Sequence, residues 1–285
     1  MDYREEGTVF SCGDSRMLGI TAIPAEPASI AVLFLVGGPQ YRAGSHRQFT
    51  LLARNFAARG FASLRFDYPG MGDSYGQSVA FSTCDAEVEA AVEHLHASVP
   101  SAKHVVLWGL CDAASTAMMF AHRLPTVRGG IFVNPWVHGG EYSPGFRLSH
   151  YYGPLLSDRQ RWKRLLSGNV DIKPAIADTV KALSALLSFK RKNAPESSHV
   201  DFVDGMLRGC EAFKYEMLFM LSEKDLTAKE FMELSQQNKR WCEILKRNTT
   251  QTHKIAGADH TFSRSQWREE VASVALGWLQ RLSGQ

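Results

Sequence analysis

The chain holds five cysteines and ten histidines in 285 residues, and one cysteine stands apart by its context. The segment Trp108-Gly109-Leu110-Cys111-Asp112-Ala113-Ala114-Ser115 follows the apolar run His104–Trp108 and opens a run of small residues. Strand, sharp turn and helix form the setting of a G-x-S-x-G nucleophile elbow, whose turn exposes the nucleophile. Here the nucleophile is Cys111, and Ala113 takes the place of the last glycine. Small residues are needed because the turn packs backbone against the neighbouring strands. Cysteine suits the position, since thiolate is the reactive form and a helix N-terminus stabilises negative charge.

A nucleophilic thiol needs a base that takes its proton and returns it to the leaving group. His260 lies in Gly257-Ala258-Asp259-His260-Thr261-Phe262, a predicted loop between the last strand and the final helix. The chain order nucleophile, acid, histidine puts the base there. The acid is expected after the strand Met217–Leu221, in Ser222-Glu223-Lys224-Asp225-Leu226. Asp225 is the choice for holding the imidazole tautomer and its charged form, with Glu223 as the competitor. Asp259 adjoins His260 and is poorly placed to orient its neighbour's ring. After the preceding strand stands Asn134-Pro135-Trp136, with no carboxylate. The developing oxyanion needs backbone N–H donors. The N–H of Asp112 is one. Gly38, in Gly37-Gly38-Pro39-Gln40, is the other, because Pro39 has no N–H. The Asp112 side chain keeps three readings: a charge stabilised by the helix dipole, an anion that disfavours the Cys111 thiolate, or a contact to a substrate hydroxyl or amine.

The elements that must position these residues alternate along the chain. Predicted strands Thr8–Cys12 and Met17–Ile23 flank Gly13-Asp14-Ser15. The run Ile30–Val36 is apolar without alternation, which suits a strand buried on both faces. A helix is expected from Ser45, where Ser45 and Gln48 spell an S-x-x-Q capping box. Phe49, Leu52 and Phe56 follow at helical spacing, and Gly60 ends the run. Strands are then expected at Ala62–Phe66, His104–Trp108, Gly130–Val133, Met217–Leu221 and Thr250–Ile255. Helices are expected at Phe81–Ser98, at Ala113–Arg123, and at the end, where Trp267, Val271, Val274, Trp278 and Leu282 mark one face. This pattern predicts an α/β fold with a mostly parallel sheet covered on both faces, formed by residues 1–137 and 211–285. The alternation fails over 138–210, which has helical patterns and no clear strand. That stretch carries 11 Lys plus Arg against 7 Asp plus Glu, a surplus of +4 in a chain whose total is +3. A helical insertion between sheet strands reads as a lid over a site at the C-terminal strand ends.

Composition excludes other classes. With 45% hydrophobic and 21% charged residues, the chain is too apolar for disorder. A formal charge of +3 gives no case for nucleic-acid binding. No run of about 18 apolar residues is present, so no membrane span is expected. The start MDYREEGTVF is acidic and polar where a signal peptide would be basic and then apolar, so a cytoplasmic location is expected. An odd number of spaced cysteines without a CxxC pair predicts neither a disulfide framework nor a cysteine zinc site. No metal or cofactor is expected.

Together these residues resemble the α/β-hydrolase fold over nearly the whole chain. Asp67-Tyr68-Pro69-Gly70-Met71-Gly72-Asp73-Ser74 resembles the D-x-x-G-x-G-x-S turn of many members, where it serves as scaffold. The cysteine elbow is similar to that of dienelactone hydrolases. Longer stretches resemble small hydrolases found with exosortase and PEP-CTERM sorting systems in exopolysaccharide-producing bacteria. These are Gly37–Arg42 with Ser45–Phe49, Leu64–Tyr68, Leu107–Ala113 and Asn134-Pro135-Trp136. Gly37-Gly38-Pro39 also resembles the loop of proline iminopeptidases, with Val36 in place of their histidine. The expectation is a cysteine-nucleophile acyl hydrolase acting on an ester or thioester of a small molecule or acyl carrier. The alternatives are an acyltransferase or deacylase for an exopolysaccharide or lipid-linked precursor, a non-catalytic binding protein, and a redox-sensing thiol. Cys12, Cys84, Cys210 and Cys242 are read as packing residues. Leu155, Leu156, Leu165 and Leu166 would line a pocket or a homodimer face.

Overall fold

The computed structural model describes residues 2–38, 40–137 and 199–284. Eight strands form one sheet: β1 (Tyr3–Cys12), β2 (Ser15–Pro24), β3 (Ile30–Leu35), β4 (Ser63–Phe66), β5 (His104–Leu110), β6 (Val127–Val133), β7 (Glu216–Ser222) and β8 (Thr250–Ile255). Their order is β1-β2-β4-β3-β5-β6-β7-β8. The β1–β2 and β2–β4 pairs are antiparallel, and all pairs from β4 to β8 are parallel. All eight strands expected from the sequence are present, with ends shifted by a few residues.

Both faces of the sheet are covered, and the period of two along each strand sorts side chains between them. In β3, Val32 and Phe34 point to one core while Ala31, Leu33 and Leu35 point to the other. The same split separates Val106 and Trp108 from Val105 and Leu107 in β5. One face packs against α1 (Gln48–Ala57) and α7 (Ser265–Ser283) through Phe56, Trp267, Val271 and Trp278. The other packs against α2 (Asp85–Ser98), α3 (Asp112–Phe120), α4 (His199–Ala212), α5 (Leu226–Gln237) and α6 (Lys239–Leu245). A strand with both faces buried needs no polar alternation, which is why β3 and β7 read as continuous apolar runs.

Local expectations shift in three places. Ser45 and Gln48 form no capping box. Ser45–Arg47 is a short 3-10 turn, His46 and Arg47 hold positive φ of 53° and 59°, and α1 starts at Gln48 with no side-chain cap. Two left-handed residues separate the would-be cap from the helix it would cap. Residues Phe81–Cys84 stay outside α2. The pair α5 and α6, absent from the sequence reading, is capped by the side chains of Asp225 and Asn238.

The chain divides into two compact units, 1–137 with 202–285 and 138–201. The expected boundary at Cys210 therefore falls inside α4. Phe202, Met206, Leu207 and Cys210 of that helix are buried in the first unit's core, with Phe202 edge-on to Phe81 at 5.2 Å. Residues 138–198 of the insertion expected over 138–210, with its four leucines, lie outside the described residues. Among the described residues no helix is long and apolar enough to cross a membrane.

Candidate active site

The site is assembled at the C-terminal ends of β3, β5, β7 and β8. The order β4-β3-β5 makes β3 the point where the connections change direction, the crevice where open α/β sheets bind ligands. Gly37 and Gly38 leave β3 there, beside Cys111 at the end of β5.

Cys111 is the N-cap of α3 and holds φ 64° and ψ −126°. A non-glycine residue in that region costs of order 1–3 kcal/mol and persists only where its surroundings impose it. Here the Cys111 N–H donates to the Val133 carbonyl at 2.9 Å, and its carbonyl accepts from Ala114 and Trp136 at 3.0 and 3.2 Å. Gly109 supplies the room. A Cβ there would lie 2.3 Å from the Ala113 carbonyl oxygen. The strained turn leaves Cys111 part-exposed while Cys84 and Cys210 are buried. Burial pushes the Cys84 thiol up to about 12 and raises that of Cys210 as well. Those two stay protonated packing groups.

Asp225 and His260 meet. His260 Nδ1 lies 2.9 Å from Asp225 Oδ2, which leaves the other ring nitrogen for Cys111. Asp225 is 6% exposed and also accepts from the N–H groups of Thr227 and Ala228, at 3.3 and 3.2 Å. One side chain thus caps α5 and orients the imidazole. Burial opposes a charged ring, yet hydrogen bonds to Asp225 and Cys111 push His260 up to about 10. The competing acids are engaged elsewhere. Glu223 accepts from the Gly257 N–H at 2.6 Å, and Asp259 accepts from the Ser263 N–H at 3.0 Å. Among the described residues no group of three or more His, Cys, Asp or Glu is placed to share a metal ion.

The Gly38 N–H, expected as an oxyanion donor, already serves the side chain of Asp112. Gly38 N–H donates to Asp112 Oδ2 at 2.9 Å, and Ala113 N–H donates to Asp112 Oδ1 at 2.9 Å.

Residues 32–274 match the alpha/beta hydrolase family. The chain belongs to that family. No curated protein matches the hydrolase. Solved structures do. An esterase of Pyrococcus furiosus aligns at 15% identity with a TM-score of 0.64, covering 98% of this chain and 91% of its own. A dienelactone hydrolase of Anabaena variabilis aligns at 15% identity with a TM-score of 0.62, covering 99% of each chain. Est1E of Butyrivibrio proteoclasticus, solved with ferulic acid bound, aligns at 11% identity with a TM-score of 0.64, covering 98% of this chain and 100% of its own. At such identities the likeness establishes the fold.

Two positioning features of the hydrolase were not legible in its sequence. Arg42, at the end of the Gly37–Arg42 loop, anchors that loop to the fully buried Asp67. Its N–H donates to Asp67 Oδ1 at 2.6 Å, and its guanidinium pairs with Asp67 and, at 2.7 Å, with Asp73. Gly72 makes space, since a Cβ there would meet Asp67 Oδ2 at 2.2 Å. Asn134, noted in the sequence for lacking a carboxylate, turns out to be a fully buried clamp. Its amide donates to Ser222 Oγ at 3.0 Å and to the His260 carbonyl at 3.2 Å, and its oxygen accepts from the Ser222 N–H at 2.8 Å. It ties the histidine loop to the end of β7. Replacing it with alanine strands the buried Ser222 N–H and puts a residue that tolerates the left-handed region less well than asparagine at a φ of 44°. Asn134→Ala is expected to cost about 2–3 kcal/mol, read as a lower urea midpoint at unchanged m-value. A loss below about 0.5 kcal/mol would remove the clamp from the account.

Proposed function

We propose that this hydrolase is a cysteine-nucleophile acyl hydrolase acting on an ester or thioester. The observation that carries the reading is the Asp225–His260 pair beside a cysteine held at positive φ at a strand-to-helix turn. The thiol proton of Cys111 resides on His260, as the raised pKa of the ring favours, and the Cys111 sulfur adds to the acyl carbonyl carbon. The carbonyl electron pair moves to oxygen, where the Gly38 and Asp112 N–H groups receive it. Collapse expels the alcohol or thiol, protonated by His260, and leaves a thioester on Cys111. Water, deprotonated by His260, then releases the acid. A thiolate leaves a tetrahedral intermediate more readily than an alkoxide does, which favours ester and thioester substrates over unactivated amides.

The test is a panel of acyl p-nitrophenyl esters and acyl-coenzyme A thioesters of increasing chain length. A burst of p-nitrophenol equal to the enzyme concentration is expected, with the acyl mass on the Cys111 peptide. Acylation of another cysteine, or of none, overturns the reading.

A further inference from the structure

The Asp112 carboxylate lies where an oxyanion would be expected. Its two oxygens accept from Gly38 on one loop and Ala113 on the helix, both at 2.9 Å, and its own backbone N–H also supports its charge. Two of those three donors, Gly38 and Asp112, are the ones assigned above to the reaction. Gly37 brings the loop this close, since a Cβ on it would stand 2.0 Å from Asp112 Oδ1. A carboxylate oxygen and a tetrahedral oxyanion ask the same thing of a backbone N–H, and one N–H serves one of them well.

We propose that the Asp112 carboxylate is the resting occupant of the oxyanion pocket, and that the acyl carbonyl oxygen enters by displacing it. This rests on the reading of Cys111 as nucleophile. The neutral carbonyl of a substrate competes poorly with a carboxylate for two N–H groups. The oxyanion of the transition state competes well. The pocket is therefore kept organised by an internal anion and yields to charge that develops during reaction. Three features let the carboxylate leave. The side chain is part-exposed. Among the described residues no Lys or Arg ion pair to it is formed, and the cation that favours its charge is His260, acting through space. Burial raises its pKa more than the backbone donors lower it, so its ionised form is not locked in place.

An alkyl trifluoromethyl ketone tests the displacement. Cys111 sulfur bonds to the ketone carbon, the C=O electron pair moves to oxygen, and the thiol proton resides on His260. The resulting hemithioketal oxyanion requires the pocket. Its inhibition constant is measured for the wild type, Asp112→Asn and Asp112→Ala, all of which keep the backbone N–H at position 112. Binding about 10-fold tighter or more in Asp112→Ala, with Asp112→Asn between, is the expected result. Equal or weaker binding in both variants overturns displacement and makes the carboxylate a fixed clamp. The ¹⁹F signal of the hemithioketal, absent in Cys111→Ala, separates the two failures. An adduct of unchanged affinity sinks this proposal alone, whereas no adduct on Cys111 sinks the catalytic reading and this proposal with it. The Gly38 amide resonance gives a readout free of ligand. It should move on Asp112→Ala, and an unmoved resonance refutes the contact itself.

Discussion

Cys111→Ala is expected to lower turnover of an acyl p-nitrophenyl ester by on the order of 10⁴-fold or more. Groups that act as a unit lose nearly everything when one is removed, and the residual rate comes from binding and oxyanion contacts. Alanine is the informative substitution because the backbone must still hold φ 64° at this position. It keeps the Cβ and the local packing, and removes only sulfur. Circular dichroism and the urea midpoint should stay near wild type while the burst disappears. Glycine would be less informative. It would relieve the strained φ and confound a chemical loss with a conformational gain. A Cys111→Ala enzyme retaining more than about a tenth of wild-type turnover would rule out thiol attack at this position.

His260→Gln is expected to lower the same turnover by about 10²–10⁴-fold. It should also change how stability depends on pH. Burial works against the charged ring, but Asp225 and Cys111 together push His260 from its ordinary 6.5 up to about 10. The folded protein therefore holds a proton that the unfolded chain releases near 6.5. Unfolding then releases that proton, so stability from this group is complete below about pH 6.5 and fades as pH rises through about 10. Glutamine removes the titration. Between those limits the wild-type melting temperature should fall relative to that of His260→Gln. Parallel melting curves across the interval would show that Asp225 and Cys111 do not hold the charged ring. The side chain is 33% exposed, so solvent softens the effect.

The fold was written in residue patterns that depend on neighbours in the sequence. Apolar runs without alternation marked the buried strands, and Gly109-x-Cys111-x-Ala113 marked the turn, because steric demands there are met within five residues. Asp225 and His260 could be picked by their place after β7 and β8. The use of Asn134 could not. Its worth lies in Ser222 and the His260 carbonyl, 88 and 126 residues away. The resting place of the Asp112 carboxylate likewise depends on Gly38, 74 residues earlier in the chain. The Ser45–Gln48 pair misled for the opposite reason. A capping box is a local signal, and the turn at His46 and Arg47 takes the backbone out of register with it.

The clamp at Asn134 also bears on how the chain reaches its native state. Gly38, Cys111, Asp225 and His260 are strung over more than 220 residues, and Asn134 precedes the 138–201 unit while both of its partners follow it. The His260 loop is pinned only once β7 and β8 have paired alongside β6 across that gap. Contacts so far apart in sequence carry an ordering cost that must be met before they form. On the proposed mechanism, activation of the thiol by His260 should therefore arrive among the last events of refolding. The rate at which Cys111 becomes acylated after dilution from denaturant would then time completion of the sheet, rather than formation of the elbow that carries it.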